Sequence, residues 1–402
     1  MEKNSICLIR GDKVVGLLEL LQPETPEDLR DELARAARAG RSIELFGNNS
    51  KQSMAGPVSD SVVRITTARL NSVVQYEPRD LTISVGAGMP YAELRRLLAE
   101  NGQMIPLDGP YAADATVGGM VAANISDSKR RGYGTARDWV IGMRFATLDG
   151  NLVQSGGMVV KNVAGLDMGK LMIGSFGTLA AITTVNFKLA PIPAAATTLL
   201  FSFQEHSAVF QAAGAALRGV LNPVAVDVMN AALTRRLGLG TGYTLVLSYA
   251  GNEAVIERAT RESASQRNRR ALREQEESEF WRTVRDLTPA HLAGKKDGAV
   301  GRVGATLTGC AAALASINGP GLAHAGSGIV RGWHDTSEAA AKWVAEGSSR
   351  GWKGVVEFSA GARRKPESLW PAPGGDFEIM RRVKQMFDPN GLLNSGRLYG
   401  LI

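Results

Sequence analysis

The stretch Pro106-Leu-Asp-Gly-Pro-Tyr-Ala-Ala-Asp-Ala-Thr-Val-Gly-Gly-Met-Val-Ala-Ala-Asn124, followed by Lys129-Arg-Arg-Gly-Tyr-Gly134, gathers small residues at one point of the chain. Gly118 and Gly119 leave no Cβ in the way of a flat or extended ligand, and Ala122 with Ala123 let the following helix lie close to it. Tight helix packing is the alternative reading of a double glycine. Two more glycine-rich stretches flank this one. Phe46-Gly-Asn-Asn-Ser-Lys-Gln-Ser-Met-Ala-Gly56 follows a short strand, Ser42 to Phe46, where small residues let backbone N–H groups turn inward on an anion and Lys51 adds charge. Lys161-Asn-Val-Ala-Gly-Leu-Asp-Met-Gly-Lys170, with Gly174-Ser-Phe-Gly-Thr178, repeats the logic of close backbone approach.

Around these loops the apolar period alternates between helix and strand. Thr25 and Pro26 start a helix carrying Leu29, Leu33, Ala36 and Ala37, stopped near Gly40. Val62–Ile65, Val73–Tyr76 and Leu81–Val85 are short and β-branched, and Pro90 opens a helix from Tyr91 toward Asn101. Strands at 140–148 and 152–155 meet across Asp149-Gly150, a helix lies around 165–173, and 179–189 reads as a long strand. After Pro191-Ile-Pro193 the composition becomes alanine-rich, which marks a boundary. Beyond it, helices fit 207–221 and 253–281, and strands fit 243–250, 328–333 and 354–358. A last helix fits 377–387. Gly238-Leu-Gly-Thr-Gly242 looks faintly like a dinucleotide loop, but it follows a helix and precedes a strand, the reverse of the required order.

Composition narrows the function classes. The 402 residues exceed one compact domain, and 46 glycines, about 11%, exceed the usual ~7% without a G-X-Y period. The net charge of +7 suits anionic ligands, while the dense basic region 258–285 is nearly balanced by glutamates and reads as a solvated helical face. The two cysteines, Cys7 and Cys310, form no CxxC, and the four histidines, His206, His291, His324 and His334, make a histidine metal cage hard to assemble. No metal is expected. No apolar run reaches the ~18 residues of a spanning helix, so the expected location is cytoplasmic, or peripheral at the inner face of a membrane through partners.

Taken in order, the three loops resemble the FAD-binding domain of the vanillyl-alcohol oxidase / p-cresol methylhydroxylase (PCMH-type) flavoprotein superfamily. Ala115–Asn124, Arg131–Gly134 with Ala136-Arg-Asp-Trp139, Lys161–Gly165 and the ending Phe387-Asp-Pro-Asn-Gly-Leu-Leu-Asn-Ser-Gly-Arg397 resemble more narrowly the FAD-binding E-type subunit of bacterial glycolate oxidase. The resemblance implies an α+β fold: a PCMH-type two-lobed FAD-binding domain over 1–193, a smaller α+β cap over 194–370, and a segment, 371–402, returning to the FAD side. It implies that Gly47, Asn48, Asn49, Ser50 and Lys51 wrap the FAD pyrophosphate. Thr116, Gly118, Gly119, Ala123 and Asn124 run beside the flavin, and Gly165, Gly177, Thr178 and Ile182 complete the adenine and ribitol side. Asp108, Gly132, Gly134, Arg137, Asp138, Asn394 and Arg397 join them as cofactor-binding residues. Asn48 and Asn49 occupy the first loop and no cysteine lies in 8–309, so the FAD is expected to be non-covalent. Departures from the family pattern are Leu166 for tyrosine, Asp127 and Ala180 for glycine, and Ser395 for proline. Asp127 puts a negative charge near a phosphate-binding region, with Lys129, Arg130 and Arg131 on hand to offset it.

Related D-2-hydroxy-acid dehydrogenases resemble one another in a Gly-His-x-Gly-Asp-Gly-Asn-x-His segment whose histidines help bind metal and substrate carboxylate. Here Ala323-His-Ala-Gly-Ser-Gly-Ile-Val-Arg331 corresponds to it, with Ser327 for the aspartate and Arg331 for the second histidine. His324 and Arg331 are the substrate-side candidates. Arg331 pairs either with a substrate carboxylate or with an acid of the cap. No catalytic acid or base is assigned. The resemblance implies a subunit oxidising glycolate to glyoxylate beside a D-type FAD catalytic subunit and an iron–sulfur F-type subunit, with no nucleic acid. A self-sufficient oxidase or dehydrogenase of another 2-hydroxy acid or alcohol, and a structural subunit without flavin, remain the alternatives.

Overall fold

The structure is a computed structural model that describes residues 4–10, 13–58, 61–159, 166–263, 269–360 and 369–402. Three main sheets organise it. In the first, the strands run in the order Asn4–Arg10, Lys13–Leu21, Val63–Thr66, Ile43–Phe46, the last three parallel. Helix Pro26–Arg38 covers this sheet. Thr25 Oγ1 accepts from the Asp28 N–H at 3.0 Å, Pro26 fills the first turn, and Leu29, Leu33 and Ala36 pack on Ile43, Val63 and Ile65. A second, antiparallel sheet runs Val73–Glu77, Thr82–Gly86, Ala181–Lys188, Val140–Ala146, Leu152–Gly156.

The third sheet has eight antiparallel strands in the order Arg269–Arg273, Ala195–Phe203, Tyr243–Gly251, Ala225–Met229, Gly321–His324, Ile329–His334, Ala299–Gly304, Lys353–Ser359. Its side chains alternate between two environments. Leu199, Phe201, Val226, Val228, Leu245, Leu247 and Val330 pack under helices His206–Arg218, Glu253–Glu262, Leu307–Ala315 and Ser337–Ser349. Leu200, Val246, Met229, Leu322 and Trp333 join instead the core that holds Met120, Val121 and Ile125 of the first half. Asp227, His324 and Arg331 follow the same alternation, so they lie on the face turned toward the glycine-rich loops.

The expected helix over 253–281 is corrected. It is two helices, Glu253–Glu262 and Glu274–Arg285, around an edge strand, Arg269–Arg273, which pairs with Ala195–Phe203. Helical propensity yields to a free sheet edge, and the arginines on that strand block further pairing. The solvated face is corrected too. Glu277 is buried, accepts from Thr198 Oγ1 at 3.1 Å and pairs with Lys129 at 3.6 Å, while Trp281 Nε1 donates to Thr198 Oγ1 at 2.8 Å.

The last residues lie along the edge of the first sheet. Ile43 N–H donates to Leu392 O at 2.8 Å, Asn394 N–H to Ile43 O at 2.9 Å, and Leu45 N–H to Asn394 Oδ1 at 2.7 Å. Helix Phe377–Phe387 contributes one buried lysine. Lys384 Nζ donates to Asp388 Oδ2 at 2.6 Å and to Thr178 O and Leu393 O, each at 2.8 Å, which ties the chain end to the third loop. Among the described residues no helix is long and apolar enough to cross a membrane.

Candidate cofactor cleft and the polar cavity beside it

Strand Ile43–Phe46, held between Val63–Thr66 and the chain end, delivers loop 47–51 to the start of helix Val117–Ala123. Asn48 Nδ2 donates to Asp114 O at 2.8 Å, Thr66 Oγ1 to Gly47 O at 2.8 Å, and the Gly119 N–H to Thr116 Oγ1 at 3.2 Å. The glycines divide by role. A Cβ on Gly47 would overlap Thr116 Oγ1, and one on Gly118 would stand 2.9 Å from Ala87 Cβ, so these two are bare because protein presses on them. A Cβ on Gly119 would meet only Thr116 Oγ1, at 3.1 Å. Gly119 therefore faces open space.

That space is a cleft lined by thirteen of the residues picked from sequence: Gly47, Asn48, Asn49, Ser50, Lys51, Thr116, Gly118, Gly119, Ala123, Gly177, Ile182, Asn394 and Arg397. Sequence reasoning missed Glu44, Leu45, Phe46, Gln52, Val58, Thr67, Ala122, Phe176 and Ala180, most of them neighbours of residues it named. Asn124 lines the adjoining cavity instead. The other choices have protein partners and do not line the cleft. Asp108 accepts from the Gly109 N–H at 3.0 Å and pairs with Arg285 at 3.7 Å. Gly132 packs on Val224, Gly134 takes φ +78° beside Asp138, and Asp138 Oδ2 accepts from the Thr135 N–H at 2.8 Å. Arg137 donates to Lys170 O at 3.2 Å, and Thr178 Oγ1 to Ser175 O at 2.8 Å. Gly165 lies outside the described residues.

Lys51 provides the test of fit. It is 8% exposed, and its Nζ has no hydrogen-bond partner among the described residues. Burial brings the ammonium down to about 8 from its ordinary 10.5, with Asp114 only partly opposing. An unpaired buried cation is costly, and an anion seated in the cleft removes that cost. A diphosphate supplies such an anion, so the residues present fit FAD. Among the described residues lining the cleft there is no cysteine or histidine.

A second cavity, of about 300 Å³, shares Ala123 and Phe176 with the cleft and is walled by Arg130, Arg302, Arg331 and Glu357. Arg331 is corrected as a substrate arginine. Its Nε and Nη2 bind Glu357 at 2.7 and 3.2 Å, and its Nη1 stands 2.9 Å from His324 Nε2. The acid of the cap has taken it. His324 Nδ1 lies 3.0 Å from Asp227 Oδ1 and 3.2 Å from Ser128 Oγ. The neighbours place the ring proton on Nδ1 and leave Nε2 to accept from Arg331, so both nitrogens are committed. Asp127 lies away from the cleft, beside Ser128, Trp281 and His324. Burial and the nearby Asp108 raise its carboxyl to about 7, against Lys129. Among the described residues, no group of three or more His, Cys, Asp or Glu side chains can hold a metal ion.

A family model described as an FAD binding domain matches residues 18–156, and a second, for the C-terminal domain of FAD linked oxidases, matches residues 357–398. Both matched stretches are thus similar to parts of FAD-linked oxidases. The chain is 35% identical over 172 residues to the glycolate oxidase subunit GlcE of Escherichia coli (strain K12), covering 42% of this chain and 49% of that one. It is 28% identical over 204 residues to a D-2-hydroxyglutarate dehydrogenase of Xanthomonas citri pv. viticola, covering 50% and 43%. The matched stretch thus spans about half or less of these curated relatives. In fold, the chain resembles the 4-ethylphenol oxidase of Gulosibacter chungangensis, with TM-score 0.72 at 14% identity over 98% of this chain and 91% of that one. It also resembles an alkyldihydroxyacetonephosphate synthase, with TM-score 0.70 at 16% identity over 94% and 76%. The two-lobed α+β architecture matches the PCMH-type one, and the FAD binding domain matched at residues 18–156 fits FAD as the cofactor.

Proposed function

We propose that the chain is a subunit of an FAD-linked dehydrogenase that oxidises a small 2-hydroxy acid, with glycolate to glyoxylate as the leading reaction. The observation that carries this reading is the pairing of a cleft holding a buried lysine, unpartnered among the described residues, with a guanidinium-lined cavity that shares Ala123 and Phe176 with it. The similarity to GlcE favours glycolate. FAD, when bound, supplies the redox step by accepting a hydride from the substrate carbon. Loop 47–51 and Lys51 hold its phosphates, Gly119 gives it room, and Asn394 and Arg397 close the cleft from the chain end. Asp108, Gly132, Gly134, Arg137, Asp138 and Thr178 hold the surrounding loops in place. Residues 1–193 act as the FAD domain, 194–370 as the cap, and 371–402 as the return to the FAD side.

Two cysteines cannot ligate a four-thiolate iron–sulfur cluster, so electrons leave through partners of the D and F types. Anaerobic addition of glycolate to the FAD-loaded chain, alone and with those partners, tests the reading. Bleaching of the flavin only in the complex supports it, bleaching by the chain alone points to the self-sufficient enzyme, and no bleaching in either rejects it. Gly119→Val is expected to abolish FAD retention with the cap still folded, because its branched carbons enter the cleft. Full flavin occupancy in that variant contradicts the assigned path. After acid precipitation the flavin is expected in the supernatant, and flavin in the pellet would reveal a covalent link.

A further inference from the structure

We propose that the cavity beside the cofactor cleft binds the carboxylate of a small 2-hydroxy acid between Arg130 and Arg302, while Asn124 Oδ1 accepts a hydrogen bond from its hydroxyl. The proposal rests on the oxidoreductase reading above and moves substrate recognition away from Arg331, where sequence had put it.

Among the described residues three guanidiniums face this cavity and one carboxylate does. Glu357 is already spent on Arg331 through two hydrogen bonds, and it meets Arg302 only at 3.8 Å. Arg130 has a single neutral partner, Ser126 Oγ, at 3.2 Å. Burial, then repulsion from Arg302 and Arg331, holds Arg130 below its ordinary value, although Asp138 and Asp127 oppose this. Arg302 is lowered as well, first by burial. Among the described residues neither guanidinium hydrogen-bonds to a carboxylate, and such a pair matches a forked planar anion.

Asn124 supplies a second, independent observation. Its Oδ1 is buried, without a hydrogen-bond partner among the described residues, on the wall of the same cavity. A carbonyl oxygen can only accept, so its ligand must carry a donor, and a bare carboxylate has none. A hydroxyl beside the carboxylate provides one. Met54, Phe176, Val355 and Trp370 close the rest with apolar surface, which favours a small acid. Asn124 also sits at φ +46°, ending helix Val117–Ala123 in the left-handed region, so the fold fixes its direction.

The test titrates the FAD-loaded full chain with oxalate, which flavin cannot oxidise by hydride removal, and follows calorimetry and the flavin spectrum. Saturable binding is expected. Arg302→Gln and Arg130→Gln are each expected to weaken it about tenfold or more, about 1.4 kcal/mol, with FAD content unchanged. Arg302→Lys, which keeps the charge, is expected to retain part of the affinity and guards against a folding defect in the glutamine variant. Asn124→Gly, which tolerates the same backbone angle, is expected to leave oxalate binding intact while raising the glycolate concentration needed for half-maximal bleaching. Absent oxalate binding, or binding indifferent to both arginine variants, overturns the proposal. Inorganic phosphate binding as tightly as oxalate overturns the carboxylate assignment. Bleaching by glycolate unchanged in both arginine variants sinks the proposal and spares the functional reading. Oxalate binding lost in Arg302→Gln without any bleaching by glycolate does the reverse.

Discussion

Lys51→Met is expected to weaken FAD binding by about tenfold or more, and to raise the melting temperature of the FAD-free chain. The two effects have opposite signs because one ammonium serves two states. Without an anion, Lys51 is a buried charge with no partner, held near 8 against 10.5 in water. That difference corresponds to a penalty of roughly 3 kcal/mol below pH 8. The penalty fades as pH rises from about 8 toward 10.5, where the unfolded chain still holds the proton that the folded one has lost. The FAD-free wild type should therefore gain stability over that range, and Lys51→Met should not. With phosphate in the cleft, the same charge becomes an attraction that methionine cannot supply. Melting curves with and without FAD at pH 7 and pH 9.5 read both effects. A variant that binds FAD normally removes Lys51 from the phosphate site.

Arg331→Met is expected to destabilise the cap by about 3–5 kcal/mol, the cost of leaving one member of a buried ion pair uncompensated. Burial by itself would push the Glu357 carboxyl up, but the charge and hydrogen bonds of Arg331 pull it below its usual range. In the wild type, the pair's contribution is present above the ordinary carboxylate range and is lost as pH falls through the lowered value. Arg331→Met removes that acid-side loss. Adding Glu357→Gln to the variant should recover much of the stability, since the stranded charge disappears. Urea midpoints for the two singles and the double form the cycle. Additive effects would mean that the pair is not coupled as its geometry implies.

Sequence made the loops legible because their chemistry is local. A short strand, a run of small residues and a helix start follow one another at 43–51 and 115–124, and the local backbone alone makes such a run an anion cradle. It could not separate Gly118 from Gly119. Both lack a Cβ, yet one is pressed by Ala87 and the other faces the cleft, and that depends on a strand from elsewhere in the chain. The helix expected over 253–281 failed for a related reason. Its charges and propensity suit a helix, but the open edge of Ala195–Phe203 makes Arg269–Arg273 a strand.

The polar cavity was the least legible part. Arg130 stands in a motif, but Arg302, Arg331 and Glu357 are single charges in three β-strands, at spacings that carry no pattern of their own. His324 and Arg331 could be named as a pair, yet their partners could not, because Asp227 reaches His324 from the adjacent strand and Glu357 reaches Arg331 across the intervening strand Ala299–Gly304. The sequence by itself determined the resemblance to FAD-binding flavoproteins and the glycine-rich loops proposed to hold FAD, since each depends on contiguous residues and backbone freedom. Only the tertiary structure decided which arginines remain free for an anion, because a guanidinium's availability depends on which carboxylate the strand register places beside it.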